Sequence, residues 1–292
     1  MDIVIPLLAS DLERYLRLQR PTFEHHYANL GTTWVIVRPE DRLEVERAIS
    51  GLAGVSVVDE RELVPELALA MVLPRDKRRD WYLQQLIKLA AVAAVDTEFA
   101  LVLDADVVAV RPVADSDLVV EGRALRPRAP LETHPRWVAQ AAEALGLEPL
   151  DYSASVTPSV LAREAVRLLA RYAERSVRAR RWQVHALSLV PGIRRQLSTW
   201  RGRLLGALPW TEYQLYDTFL VRSGHFDRFH RYSTDPVLYA NSVWRARHFD
   251  DWSPSPREVA PVHFFSVVQG RARIPVEAVR EKLEANGVLP RA

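Results

Sequence analysis

No cysteine occurs among the 292 residues, which excludes a disulfide scaffold, a thiol nucleophile, an iron–sulfur cluster and any cysteine-based zinc site. Lysine is scarce, confined to Lys77, Lys88 and Lys282, so arginine supplies most of the basic charge. Glycine is sparse at 11 residues, and no two stand as G-x-G, so the dinucleotide fingerprint is missing, and so is a phosphate loop with its lysine. An excess of either charge is also lacking. Thirty-nine basic against thirty-seven acidic residues leave +2, which gives no electrostatic footprint for nucleic acid. Every apolar stretch is interrupted, by Lys88, by Asp104 and Asp106, or by a proline, well short of the ~20 residues that span a bilayer. The opening Met1-Asp2-Ile3-Val4-Ile5-Pro6 has no basic stretch before its short apolar run and reads as a strand rather than a signal peptide. The expectation is a cytoplasmic protein, at most peripheral to the inner face of the membrane.

What is present is an ordinary globular mixture, 48% hydrophobic and 26% charged, which excludes wholesale disorder. The first half alternates strand and helix signals. Strands are expected over Ile3 to Leu8, Trp34 to Val37, Val55 to Val58 and Phe99 to Leu103, with helices over Leu12 to Leu18, Leu43 to Ile49 and Trp81 to Val95. Asp11 is placed to cap the first of these helices. Alternation of this kind predicts an α/β fold, a mostly parallel central sheet flanked by helices. In the second half, helices are expected over Pro135 to Leu145 and Ser159 to Ala173, and a last one over Pro275 to Ala285 with Gly287 just beyond its end. No linker-like segment divides the chain, so residues 1–292 read as a single domain.

The strongest chemical signal is Phe99-Ala100-Leu101-Val102-Leu103-Asp104-Ala105-Asp106. It places two carboxylates at the carboxyl end of a buried strand, where open α/β sheets bind ligands. Hard oxygen ligands at this spacing suit Mg2+ or Mn2+, which bridge to a diphosphate. Lys88 shares a helical face with Trp81 and Gln84 at i, i+3 and i+7, and a phosphate or sugar would satisfy that face. In Pro209-Trp210-Thr211-Glu212-Tyr213-Gln214-Leu215-Tyr216-Asp217, Thr211 is placed to cap a helix whose first turn holds Glu212. Glu212, or less directly Asp217, would act as a base on a bound acceptor hydroxyl, or Glu212 would bind the acceptor without taking its proton. Trp210, His134 and Trp137, with Ser153 and Ser155, would border the acceptor.

Lys88, the strand ending Leu103-Asp104-Ala105-Asp106, and the following Arg111-Pro112 resemble metal-dependent glycosyltransferases of the A-type fold. Glycogenin-like enzymes show a similar helix lysine and D-x-D. A bacterial group of glycosyltransferase-like proteins with W-Y-x-Q-Q, D-A-D and [ST]-E-Y-x-x-Y segments is closer still, matching Trp81 to Gln85, Asp104 to Asp106 and Thr211 to Tyr216. The resemblance implies a single A-type fold, with 1–112 as its nucleotide-sugar-binding half and 113–292 as its acceptor half with a C-terminal metal histidine. It also implies transfer from a nucleoside diphosphate sugar, UDP favoured and GDP the alternative, to a sugar or other hydroxyl acceptor. It implies Mn2+ or Mg2+ held by Asp104, Asp106 and His263 of Val262-His263-Phe264, with Asp104 also facing the ribose across Ala105. Pro6, Ser10 and Asp11 of the loop after the first strand would cradle the base. After His263 the chain lacks the glycine–lysine–proline–tryptophan pattern of glycogenin-like enzymes, so no stereochemical outcome carries over.

Two other readings compete. Asp104-Ala105-Asp106-Val107 with Asp250-Asp251 resembles the acidic motifs of haloacid-dehalogenase-type phosphatases. Those enzymes need a lysine between the motifs, and none lies between Lys88 and Lys282. A non-catalytic sugar- or nucleotide-binding protein would carry the same groups as a transferase, and turnover separates the two. Finally, the stretch from Arg171 to Arg203 holds nine arginines against the single acid Glu174. It reads either as solvated helices packed on the sheet or as a basic amphipathic surface for anionic membrane.

Overall fold

The computed structural model describes residues 1–72, 79–154, 156–178, 191–233, 238–256 and 263–291. The strands in chain order are β1 (Asp2–Pro6), β2 (Thr33–Val37), β3 (Val55–Asp59), β4 (Phe99–Val102), β5 (Val107–Ala109) and β6 (Val119–Val120). They continue with β7 (Arg123–Pro130), β8 (Tyr152–Ala154), β9 (Ser159–Ala162), β10 (His230–Ser233) and β11 (Phe265–Val267). The helices used below are α1 (Arg20–His26), α2 (Arg42–Ile49), α3 (Arg79–Ala94), α4 (Pro135–Leu145), α5 (Arg163–Ser176), α6 (Pro191–Ser198), α7 (Trp200–Gly206), α8 (Glu212–Arg222) and α9 (Val276–Ala285).

The central sheet runs β3-β2-β1-β4-β9. Its first three pairings are parallel and β9 closes it antiparallel to β4. Every residue of β1 and β4 is buried, as expected of parallel strands covered on both faces. The chain moves outward from β1 to β3, then returns to the other side of β1 as β4. That reversal is a topological switch point, and the crevice outside the carboxyl ends of β1 and β4 is where such sheets hold ligands. The loop from Leu7 and the turn from Leu103 meet there, with the Leu103 amide donating to the Val4 carbonyl at 2.9 Å. One hydrophobic core runs from Ile3 to Val267, and fully burying a side chain such as Leu101 stabilises it by about 1.5–3 kcal/mol.

Two smaller sheets complete the site's frame. In one, β7 pairs with β10 in parallel and with β6 and β8 antiparallel. In the other, β5 pairs antiparallel with β11, Val107 facing Val267 and Ala109 facing Phe265, which brings the C-terminal segment back onto the D-x-D turn.

The sequence reading needs three corrections here. Ser159 to Ala162 is a strand, and the helix begins only at Arg163: the four residues are all buried, and their ladder with Phe99 to Val102 outcompetes helical pairing. The expected helix after Asp11 is broken, with α-helical Leu12–Arg14 and α1 separated by a π-helical turn at Tyr15–Gln19. Asp11 makes no capping bond through its side chain, and neither does Thr211 at the start of α8.

Candidate active site

The D-x-D turn is held from four directions. The Asp104 amide donates to Thr157 Oγ1 at 3.0 Å, and the Asp104 carbonyl accepts from Gln19 Nε2 at 2.8 Å. The Asp106 carbonyl accepts from the Val268 amide at 2.9 Å, and Asp106 Oδ2 accepts from the Gly270 amide at 3.1 Å. The π-helical turn ends at Gln19, in keeping with the tendency of such turns to occur at functional sites. Asp106 Oδ1 is buried and has no hydrogen-bond partner among the described residues. Burial first, then the neighbouring Asp104 charge, pushes the Asp106 carboxyl up to about 7. An orphaned carboxylate oxygen strained by a second carboxylate is the environment a hard divalent cation relieves, so these residues fit Mn2+ or Mg2+.

His263 does not join them. The β5–β11 register sets Val267 against Val107 and Phe265 against Ala109, so His263 lies before the strand begins, beyond the end of the ladder far from the aspartates, whereas Val268 at the near end bonds the Asp106 carbonyl. It is 2% exposed, and among the described residues no group of three His, Asp or Glu stands together to hold an ion. Gln269 and Gly270 occupy the position opposite the aspartates instead, and both line the cleft. Val262 lies outside the described residues.

A cleft of about 750 Å³ opens at the switch point, within the 300–1,000 Å³ typical of small-molecule sites. Pro6, Ser10 and Asp11 line it, together with Asp104, Ala105 and Asp106. Arg38, Arg61, Arg79 and Arg271 stand around it, positive charge suited to a diphosphate. Burial raises the Asp11 carboxyl, Arg14 opposes that and Asp104 adds to it. Burial likewise pushes Glu60, on the same cleft, up to about 7.

A second cavity of about 130 Å³ adjoins it, and Trp81, Asp104, Trp137 and Gln269 line both. Lys88 forms its floor: its Nζ lies 2.6 Å from Asp104 Oδ1 and 2.8 Å from Glu212 Oε1. Burial opposes the lysine's charge, but Asp104 and Glu212 outweigh it and hold its pKa well above the ordinary value. Burial raises the Glu212 carboxyl, and Lys88 partly offsets this. The amide that shares the cavity with Lys88 is Gln85 at i−3, whereas Gln84 turns to the large cleft. Trp137 lines the cavity as expected, while His134 backs it, stacked on Trp137 with centroids 3.8 Å apart.

Three expected site residues belong to the framework. Asp217 is fully buried, lines neither cavity and pairs with Arg126 Nε at 2.8 Å; Arg126 also bonds Ser159 and the Tyr213 carbonyl. Trp210 is 0% exposed and donates its Nε1–H to the Leu204 carbonyl. Ser153 donates to the Leu131 carbonyl and accepts from the His134 amide. Ser155 lies outside the described residues. The sequence reading missed Gln19, Thr157, Trp244 and Gln269, polar or aromatic residues in segments with no motif of their own, and Gln214, a variable position of the motif it did single out.

Of the arginine-rich stretch, Arg180 and Arg181 lie outside the described residues. Arg201 pairs with buried Glu66, Arg171 with Glu164, and Arg203 donates to the Val177 carbonyl. Arg175, Arg178, Arg194 and Arg195 are exposed.

A family model described as "Family of unknown function (DUF6492)" matches residues 1–288. No curated protein matches the sequence. Among solved structures, the galactosyltransferase LgtC in complex with donor and acceptor sugar analogs is similar at a TM-score of 0.50 and 15% identity, over 100% of this chain and 97% of that one. The apo form of mouse xyloside xylosyltransferase 1 gives 0.47 at 12% identity, over 94% of this chain and 100% of that one. The likeness to LgtC is one of fold: a mixed α/β architecture with a mostly parallel central sheet flanked by helices.

Proposed function

The chain belongs to that family of unknown function, DUF6492, and we propose that it is a glycosyltransferase. Its donor is a nucleoside diphosphate sugar, UDP rather than GDP, its acceptor a hydroxyl, and it uses a divalent cation. The observation that carries this reading is the position of Asp104, which lines both cavities and is tied through Lys88 to Glu212. The larger cleft has the size and the arginines for a donor, with the loop of Pro6, Ser10 and Asp11 against the base. The fold shared with a sugar-transferring enzyme supports the same assignment.

In the transfer, the bond from the sugar's anomeric carbon to the diphosphate oxygen breaks, and the diphosphate leaves with the electron pair. A bond from that carbon to the acceptor oxygen forms, and the acceptor proton passes to Glu212. A buried carboxylate whose proton affinity exceeds that of an ordinary glutamate is a competent base. Lys88 favours the ionised form of Glu212 against the effect of burial and adds fixed positive charge beside Asp104. Asp104 and Asp106, with the Gln269 amide beside them, would hold Mn2+ or Mg2+. When bound, the cation supplies Lewis-acid neutralisation of the leaving diphosphate. A peripheral contact with anionic membrane through exposed Arg175, Arg178, Arg194 and Arg195 is part of the proposal.

Thermal-shift measurements with a panel of nucleoside diphosphates, with and without Mn2+, test the reading, because binding to the native state alone raises the Tm. A uridine nucleotide is expected to raise it in an Mn2+-dependent way. Asp106→Ala should abolish that rise while leaving the ligand-free Tm close to wild type. No shift with any nucleoside diphosphate, or a full shift in Asp106→Ala, would overturn it.

A further inference from the structure

The smaller cavity carries more recognition chemistry than a bare hydroxyl requires. Trp81, Trp137 and Trp244 all line it, the first two with ring centroids 5.8 Å apart. Trp244 is 37% exposed and, with Leu43, makes up the exposed large hydrophobic residues of the described chain. The residue before it is anchored: the Val243 amide donates to the Val267 carbonyl at 2.7 Å, and the Val243 carbonyl accepts from the Gln269 amide at 2.9 Å. The Trp244 ring meets Tyr239 edge-on at 6.2 Å. An indole at the rim of a cavity, carried on a backbone anchored one residue before it, offers an exposed aromatic face to a ligand.

The second observation is Gln214, in the first turn of α8 and 1% exposed. Its Oε1 accepts from the Ala154 amide at 2.7 Å. Its Nε2 is buried in the cavity wall with no hydrogen-bond partner among the described residues. A buried donor left unmade is costly unless a ligand accepts from it. Water would satisfy Gln214 but not the indoles, and a flat apolar ligand would cover the indoles but leave Gln214 and Glu212 unmatched. A sugar ring does both, with a C–H face for the aromatic surface and hydroxyls that accept and donate.

We propose that the acceptor is a carbohydrate whose terminal ring enters this cavity, stacked on the Trp244 platform, accepting from Gln214 and presenting its reactive hydroxyl to Glu212. This rests on the transferase reading above. A volume of about 130 Å³ is roughly the liquid share of four water molecules, which admits one edge of a sugar ring, and the rest of the ring and of the acceptor lies over exposed Trp244.

The test uses the intact protein, with and without UDP and Mn2+, titrated with the methyl glycosides of glucose, galactose, mannose and xylose. Saturation-transfer NMR and tryptophan fluorescence report binding. At least one glycoside should bind, with saturation strongest on its ring C–H protons. Trp244→Ala should weaken that binding about ten-fold, and Trp244→Phe should retain most of it. Gln214→Glu keeps the acceptor for Ala154 but removes the donor, and should weaken binding as well. The nucleotide-induced Tm shift should be the same in wild type and in both Trp244 variants. If no glycoside binds, or if Trp244→Ala binds as well as wild type, the proposal falls while nucleotide binding leaves the donor assignment standing. If glycosides bind through Trp244 but no nucleoside diphosphate does, the sugar site stands and the transferase reading falls.

Discussion

Lys88 has 3% of its side chain exposed and Glu212 the same, whereas Asp104 keeps 34%. Removing one member of a buried pair leaves the other uncompensated, a loss of about 3–5 kcal/mol. Lys88→Met should therefore destabilise by that order in urea denaturation, and adding Glu212→Gln should recover part of it. Additive effects of the two changes would show that the pair contributes nothing. His230 makes a pH prediction. It is buried, bonded to the Tyr216 hydroxyl at 2.7 Å, and burial lowers its pKa from 6.5 to about 3. The unfolded chain thus binds the extra proton first, so the stability that neutral His230 supports is present above pH 6.5 and lost as pH falls. The stability advantage of wild type over His230→Gln should shrink toward about 1.4 kcal/mol per pH unit below that point; the comparison cancels the carboxylates, which titrate in both proteins. An advantage flat between neutral and mildly acid pH would refute it. Lys88, Asp104 and Asp106 were legible in the sequence because each interrupts an apolar run. Asp217 misled because five residues on a helix turn it about 140° from Glu212, toward Arg126, a partner 91 residues away in the chain.

At the level of elements, the parallel strands were legible because burial on both faces writes them as unbroken apolar runs. The last strand of that sheet, β9, was not: four apolar residues have no period that separates strand from helix. The fate of His263 was equally hidden, since it follows from the β5–β11 register, a pairing across more than 150 residues of chain. The helix α8 serves two sides, presenting Glu212 and Gln214 to the cavity and Asp217 to Arg126 of β7. Asp217→Ala should therefore cost about 3–5 kcal/mol of stability while leaving the nucleotide-induced Tm shift in place at low temperature. Loss of nucleotide or sugar response in a variant that remains folded would return Asp217 to the site.

At the scale of the whole molecule, a net charge of +2 conceals uneven placement. Arg175 and Arg178 follow one another at the end of α5 and just past it, and Arg194 and Arg195 lie on α6, all exposed. No described helix is long and apolar enough to cross a membrane, and the contact proposed for this face is a peripheral one carried by its exposed arginines. Each basic residue near an anionic surface adds about 1 kcal/mol, and salt screens it over about 10 Å at 0.1 M. Co-sedimentation with phosphatidylserine-rich vesicles should occur at low salt, fall as salt rises, and weaken when Arg194 and Arg195 are changed to Glu; absence of binding at low salt would make the face a purely solvated one. The core of the molecule carries a different consequence. One ammonium group is divided between the aspartate that borders the large cleft and the glutamate of the small one. On the transferase reading, a donor that engages Asp104 would change the share of Lys88 left to Glu212, so filling one compartment would alter the other. Linkage then requires symmetry: the factor by which a bound donor alters acceptor affinity is the factor by which a bound acceptor alters donor affinity.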